Sequence, residues 1–470
     1  MMRSMYSGVS GLKNHQTRMD VIGNNIANVN TNGYKKSRVV FQDTLYQQIR
    51  GASRPVEGIR GGTNAMGVGL GMSVSSIDQI HTPTATTSTN KLTDMAINGN
   101  GYFILKNGEE EYFSRAGAFE FDIDGNLIST SNGYLVQGWN TEKVTDPDTG
   151  DWVIDTGVDK IRSVSIKDFA YIEPKETTEM YLSGNLDCSE QVFTPPAVDP
   201  EIISNWTNVV SFTKDVYDTE GTKVPVNIML GKTAEDDWTA YWYVYDYDAE
   251  GNVRKDGSGN PIILNTGGVP ELIQFGAGDL PAFGPDGQFP AGVLDADGEL
   301  WSDDITIPAD DDNGAPAVVF RKAITFNIDF SKLTQYNAES SAWAERQDGY
   351  AYGDLTSYTV TTDGTVVGIF DNGEARSLCR VALAKFQNSG GLVQTGSTLF
   401  IKSNNSGDPQ KGAPGINGLG TIIPSNLEMS NVDLSEEFTD MIVTQRGFQS
   451  NSRIITTSDE MIQELVNLKR

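Results

Sequence analysis

Two stretches set the architecture of this chain: Met5-Tyr-Ser-Gly-Val-Ser-Gly-Leu12 near its start and Leu434-Ser-Glu-Glu-Phe-Thr-Asp-Met-Ile-Val-Thr-Gln-Arg-Gly-Phe448 near its end. In the first, the apolar spacing continues as Met5, Leu12, Met19 and Ile26, with Ile22 between. In the second it continues as Leu434, Met441, Phe448, Ile455 and Ile462. A seven-residue apolar period is that of helices that pair. The spacing predicts a helix over 1–29, stopped by the Asn-rich end and Gly33. It predicts a second helix starting near Ser430-Asn-Val-Asp433, which fits a Ser-x-x-acid capping box. Gly8, Gly11 and Gly23 weaken the first helix by about 1 kcal/mol each relative to Ala, so it is expected to be loose alone and ordered on assembly.

Between these ends the pattern changes. From about Gly62 short apolar/polar alternations are broken by turn pairs such as Asn107-Gly108, Asp124-Gly125 and Asn132-Gly133, the signature of antiparallel hairpins. Val224-Pro-Val-Asn-Ile-Met-Leu230 and Trp238-Thr-Ala-Tyr-Trp-Tyr-Val-Tyr245 are further strands, with turns at Glu220-Gly221, Glu250-Gly251, Asp286-Gly287 and Asp297-Gly298. The Gly67-Val-Gly-Leu-Gly71 run lacks the flanking strand and helix of a phosphate loop and is expected to be a bend in an extended connector. Residues 403–422, rich in Gly, Asn and Pro, are expected to be a linker. The expected fold class is multidomain α plus all-β: N- and C-terminal helices paired as a coiled coil, with two nested antiparallel β-rich domains. The expected divisions are 1–30 and 430–470 for the paired helices and 31–80 for an extended connector. A discontinuous β-rich middle domain covers 81–188 and 356–425, and an inserted acidic β-rich outer domain covers 189–355.

Charge narrows the function. The chain carries 63 acidic against 35 basic residues, a net of −28. Residues 1–50 carry seven Lys/Arg against two Asp, a net of +5, whereas residues 190–348 carry 28 acidic against nine basic residues, a net of −19. So acidic a surface argues against nucleic-acid binding and keeps a crowded assembly soluble. No run approaches the ~18–20 apolar residues of a membrane span, and the N-terminus lacks the pattern of a cleaved secretory signal. The two histidines, His15 and His81, stand near no triad-like partners, and no paired-His or CxxC metal spacing occurs. No catalytic residue, metal or cofactor is expected. Asp246-Tyr-Asp-Ala-Glu-Gly251 and Asp295-Ala-Asp-Gly-Glu299 resemble calcium-loop openings but lack the Glu at the twelfth position, which is Gly257 in one and Thr306 in the other; acidic hairpin turns explain both.

The terminal motifs carry a resemblance. Ser7-Gly-Val-Ser-Gly-Leu12, Met19-Asp-Val-Ile-Gly-Asn-Asn-Ile-Ala-Asn28 and Thr31-Asn-Gly-Tyr-Lys35 resemble the N-terminal motif of bacterial flagellar rod and hook proteins. Leu427-Glu-Met-Ser-Asn-Val-Asp-Leu434 and Met441-Ile-Val-Thr-Gln-Arg-Gly-Phe-Gln-Ser-Asn451 resemble that family's C-terminal end. Met95-Ala-Ile-Asn-Gly-Asn-Gly-Tyr-Phe-Ile104 and Phe113-Ser-Arg-Ala-Gly-Ala-Phe119 resemble its inner β-domain. Rod members lack a large insertion, so residues 189–355 imply the hook branch, a curved tube that transmits torque from rod to filament. The resemblance implies terminal helices lining a channel and an outermost inserted domain. The implied partners are other copies of the chain, the distal rod protein, the hook cap, the hook–filament junction proteins and the flagellar export apparatus. It also implies export without a cleaved signal, to the cell exterior or, for a spirochete, the periplasm. Spirochete members carry a cysteine near Cys188 that loses sulfur and is attacked by a lysine of the next subunit. The resemblance makes Lys175 the first candidate partner and Lys167 the second. The plain alternative for Cys188 is a small buried residue at a domain junction; Cys379 is expected in the core. Rival readings are a distal rod subunit and, in a different class, a secreted β-rich binding protein or glycan-active enzyme.

Overall fold

The computed structural model describes residues 2–468 except 56–60, 144–151, 197–198, 248–252, 256–257, 266–267, 276–279, 291–293, 296–297 and 309–321. The chain is mostly β with a helix at each end, α1 (Met2–Ala27) and α2 (Leu434–Asn467). Two compact units divide it: unit 1 is Met1–Asp168, Ser357–Gly368 and Arg376–Arg470, and unit 2 is Phe169–Thr356 and Ile369–Ala375.

In unit 1 both helices join one β core. Strands Tyr102–Asn107, Glu110–Ser114, Leu135–Asn140, Leu383–Lys385 and Leu399–Ile401 pair antiparallel. Their inward side chains, among them Ile104, Phe113, Trp139, Ala384 and Phe400, are buried together, as period-two alternation requires. Two short pairings bring the roots of the helices to this core: Met95–Asn98 with Thr421–Pro424, and Thr86–Ser88 with Asn426–Glu428. Residues 31–80, expected as an extended connector, fold back as an antiparallel ribbon, Ser37–Asp43 on Met72–Gln79 and Tyr46–Arg50 on Met66–Gly69. Gly67 and Gly69 therefore lie in a strand rather than a bend. The expected linker 403–422 contains two paired strands, Gln410–Gly412 and Thr421–Pro424. The start of α2 also differs from expectation. Asp433, not Ser430, is the cap, accepting from the backbone N–H of Ser435 at 2.8 Å and of Glu436 at 3.3 Å. A carboxylate binds the free N–H groups and the positive helix end more strongly than a hydroxyl.

Unit 2 packs two four-stranded sheets over one apolar core. One has the order Ile305–Ile307, Ile324–Tyr336, Glu179–Asp187, Trp343–Gln347; the other Val209–Tyr217, Lys223–Ala234, Asp237–Val244, Glu271–Leu272. Met180, Leu182 and Leu186 of the first meet Ile228, Leu230, Trp238 and Trp242 of the second. Met229 and Tyr243, on the opposite face, form a separate aromatic cluster with Phe193 and Trp206. The expectation of wholly antiparallel domains fails at one pairing: Glu179–Asp187 and Ile324–Tyr336 run parallel. More than a hundred residues separate these strands, so no hairpin forces the second to reverse against the first. Gly221, Gly287 and Gly298 stand at the expected turns; Glu250-Gly251 lies outside the described residues.

Candidate assembly surfaces

The helices of unit 1 meet along a seam that is small and polar rather than apolar. Among the described residues of α2 the buried ones are Glu437, Thr444 and Ser458, and half-buried Asn451 lies in their seven-residue series. Across from it, a Cβ on Gly8 would stand 3.3 Å from Ile455 Cγ1, and one on Gly11 would stand 2.7 Å from Asn451 Nδ2. A Cβ on Gly447 would reach within 2.9 Å of His15 Nε2. Gly8 and Gly11, helix-weakening in isolation, thus permit the close approach; Gly23 has open space around it. Polar bonds tie the seam at its upper end. Arg18 Nη2 lies 2.7 Å from Asp440 Oδ2, and buried Asn25 donates to Glu437 Oε2 at 3.2 Å. Burial pushes the Glu437 carboxyl upward despite that bond.

Apart from buried Ile22 and from Ile455, which reaches Gly8, the large apolar residues lie off this seam. Of the ten expected assembly positions only Ile22 is buried. Met5, Leu12, Met19, Ile26, Met441, Phe448, Ile455 and Ile462 are half-buried, and Leu434 is exposed. Beside them Phe438, Ile442, Val443, Ile454 and Met461 are each at least 42% exposed. Apolar side chains on one helix at this density mark a surface that another protein covers. The polar heptad itself was missed by sequence reading, although its spacing equals that of the apolar one.

Cys188 lies in unit 2, just after strand Glu179–Asp187. It is half-buried and lines a cleft of about 270 Å³ with Asp236, Asp286, Gln335 and Tyr336. Its N–H donates to the Tyr336 carbonyl at 3.2 Å, and its own carbonyl accepts from the Lys232 ammonium. Lys175 is not brought to it. It sits beyond the other end of the same strand, which spans about 25–30 Å. There its Nζ is 3.1 Å from Asp348 Oδ2. Burial would raise the Asp348 carboxyl, but the N–H groups of Glu179 and Thr178, the Thr178 hydroxyl and Lys175 hold it below the usual range. Lys167 belongs to unit 1, in the turn Lys167–Phe169, with Asp124 Oδ1 at 3.8 Å. Cys379 is fully buried, and burial raises its thiol pKa.

No group of His, Cys, Asp or Glu suited to a metal occurs among the described residues. The Asp295 carboxylate accepts from the Glu299 N–H at 2.8 Å, and Asp246 pairs with Arg254 at 2.8 Å. No described helix is long and apolar enough to cross a membrane.

A helix pair with an exposed apolar face, in a chain that also carries an acidic β-sandwich, fits a subunit of a larger assembly. Four sequence-family models match: "Flagella basal body rod protein" over 5–35, "Flagellar hook protein FlgE/F/G D1 domain" over 96–169, "Flagellar basal body protein FlaE D2 domain" over 185–350 and "Flagellar basal body rod FlgEFG protein C-terminal" over 423–468. The flagellar hook protein FlgE of Borreliella burgdorferi is 42% identical over 475 residues, covering 100% of both chains. That of Treponema pallidum is 38% identical over 486 residues, again covering 100% of both. That of Salmonella typhimurium is 30% identical over 481 residues, covering 99% of this chain and 100% of its own. The chain belongs to the flagellar hook and rod protein family, whose members are structural proteins and not enzymes. Within it, this chain is a structural subunit of the hook.

Proposed function

We propose that this subunit polymerises with copies of itself into a curved hollow tube whose wall is held together by the outward apolar faces of α1 and α2. The supporting observation is the inversion at the helix pair: the small and polar seam is used within the subunit, leaving Phe438, Ile442, Val443, Ile454 and Met461 for neighbours. Burial of these side chains between copies supplies cohesion of about 25 cal/mol per Å² covered. The ten heptad positions, Met5 to Ile26 and Leu434 to Ile462, then border inter-subunit contacts. Unit 2, with most of the acid, forms the outer layer. Its charge keeps contacts with neighbours wet and weak, so they slide as the tube turns and bends. The subunit is exported without a cleaved signal through the flagellar export apparatus, and its tube is joined to the rod, the cap and the hook–filament junction. Removing either helix tests this. Tubes seen by electron microscopy with α2 deleted would overturn it.

Cys188 and Lys175 are the proposed covalent link between copies. Elimination of hydrogen sulfide from Cys188 leaves dehydroalanine, and the neutral Lys175 amine adds across the new double bond. The strand that separates the two residues within one subunit supports a bond between subunits rather than within one. Lys175 must first leave Asp348 and lose its proton. Peptide mass spectrometry of assembled hooks checks the link. An intact Cys188 thiol throughout sinks it, and a bond to Lys167 replaces the partner.

A further inference from the structure

We propose that the Glu428 carboxylate is an ionic latch that roots both terminal helices on the β core of unit 1 as a single cooperative event. Lys35, from the segment leaving α1, places Nζ 2.6 Å from Glu428 Oε1. Arg115, from the β core, places Nη1 3.2 Å from Oε2. None of the three side chains is more than 2% exposed. Further bonds tie the cluster locally, although the buried Arg115 Nε has no hydrogen-bond partner. Lys35 also donates to the Thr82 carbonyl at 2.7 Å, Arg115 Nη2 to the Gly99 carbonyl at 2.7 Å, and the Thr84 N–H to Glu428 Oε1 at 3.2 Å.

The backbone repeats the connection. Gly33 donates its N–H to the Glu428 carbonyl at 2.8 Å and takes φ +70°. A Cβ there would lie 2.5 Å from the amide N of Ala116, so glycine is what lets this segment cross directly over the residue after Arg115. Asn431, between Glu428 and α2, accepts from the Lys36 N–H at 2.6 Å and donates to the Ile80 carbonyl at 2.7 Å. The exit of α1 and the entry of α2 are thus bonded to one another as well as to the core. The three charges fall one each in the separately matched stretches 5–35, 96–169 and 423–468.

Cooperativity follows from the charge count. Lys35 and Arg115 are two cations held out of water by one carboxylate. Removing that carboxylate leaves two like charges uncompensated in a low-dielectric site. Arg115 is fixed in the core strand system, so the relief open to the cluster is for Lys35 to return to water. That draws the exit of α1 off the core and breaks the Gly33 and Lys36 bonds that hold the entry of α2.

Amide hydrogen exchange on the full-length free subunit tests the latch independently of polymerisation. In Glu428→Gln the amides of Gly33, Lys36 and strand Asn426–Glu428 should exchange at least about 100-fold faster together, while Phe103, Ile104 and Phe113 keep their protection. Adding Lys35→Met to Glu428→Gln removes the ammonium that would return to water and should recover most of that protection. Unchanged exchange in Glu428→Gln, loss at one root alone, or absence of protection at Gly33 and Lys36 in the unaltered subunit would each overturn the proposal. So would loss across the whole sheet, which would make Glu428 a general core residue rather than a latch.

Discussion

The helix pair and the unit 2 sandwich bury their residues in opposite ways. In the sandwich, large apolar side chains such as Trp238, Phe326 and Phe330 are inside, and the abundant acid is left to the rest of the unit. In the helix pair, Gly, Asn, Thr, Ser and Glu make up most of the seam, with Ile22 buried and Ile455 against Gly8, and most large apolar side chains stand outside. The described core of the sandwich closes within one copy. The helix pair satisfies its close contacts within the subunit and leaves apolar surface exposed, which the proposed assembly would cover. Assembly information is therefore concentrated where burial within one chain is least.

The largest effect should come from charging the outward face. The double substitution Ile442→Asp/Val443→Asp alters residues 54% and 58% exposed. It should abolish tube formation in sedimentation and electron microscopy, while shifting the stability of the free subunit by no more than about 0.5 kcal/mol per site, as surface changes do. Tubes at normal yield would show that this face is not the cohesive one. The mirror experiment is Phe330→Ala in the sandwich core, where the ring is fully buried and lies 5.0 Å from that of Phe275. It should cost about 3–5 kcal/mol and lower the melting transition of unit 2, yet leave tube formation intact below that transition. If both variants fail in the same way, the two regions are not distinct.

Much of this contrast was legible in the sequence, and the part that was not has a physical cause. Seven-residue spacing marks the helices, and Asn-Gly and Asp-Gly pairs mark the hairpins, because both depend on local geometry. Which heptad faces inward is not local. On α2 the series Glu437, Thr444, Asn451, Ser458 and the series Leu434, Met441, Phe448, Ile455 are equally periodic, and the choice rests on how closely Gly8 and Gly11 let the backbones approach. Likewise Lys35, Arg115 and Glu428 each sit in a recognisable motif, but one sequence gives no sign that residues 393 positions apart share a buried site. The parallel pairing in unit 2 was hidden for the same reason, since a long connection leaves strand direction open.

A pH experiment sharpens the comparison through histidine, because both His15 and His81 belong to unit 1. The His81 ring lies 5.2 Å from that of Phe400, and its Nδ1 is 2.9 Å from the Tyr102 hydroxyl. Burial, then the charges of Lys35 and Arg115, lower its pKa from 6.5 to about 4. It is neutral in the folded subunit at pH 7. Between about pH 6.5 and 4 the unfolded chain binds the extra proton, so stability is fully present above this window and falls as pH drops through it. A full effect would be about 3 kcal/mol, and partial exposure of the ring trims it to about 2 kcal/mol. Urea unfolding of unit 1 should weaken across this window, with His81→Gln flattening the slope. The unit 2 transition lacks a histidine contribution. An unchanged slope in His81→Gln would remove His81 as the cause.

The smallest effect concerns the start of α2. Replacing Asp433 by Ala removes the acceptor for two N–H groups and a negative charge that complements the helix dipole, while Ser retains an acceptor. Asp433→Ala should destabilise the first turn of α2 by about 1 kcal/mol in the free subunit, seen as faster exchange of the Ser435 and Glu436 amides. Asp433→Ser should recover most of that protection. In assembled tubes the same substitution should matter less. Helical order in proteins comes chiefly from packing of a face rather than from local signals, and the proposed assembly covers the outward face of α2 there. Equal loss of protection in free and assembled forms would mean that neighbours add no order to α2. That would remove the asymmetry between a helix pair that needs other copies and a sandwich that does not.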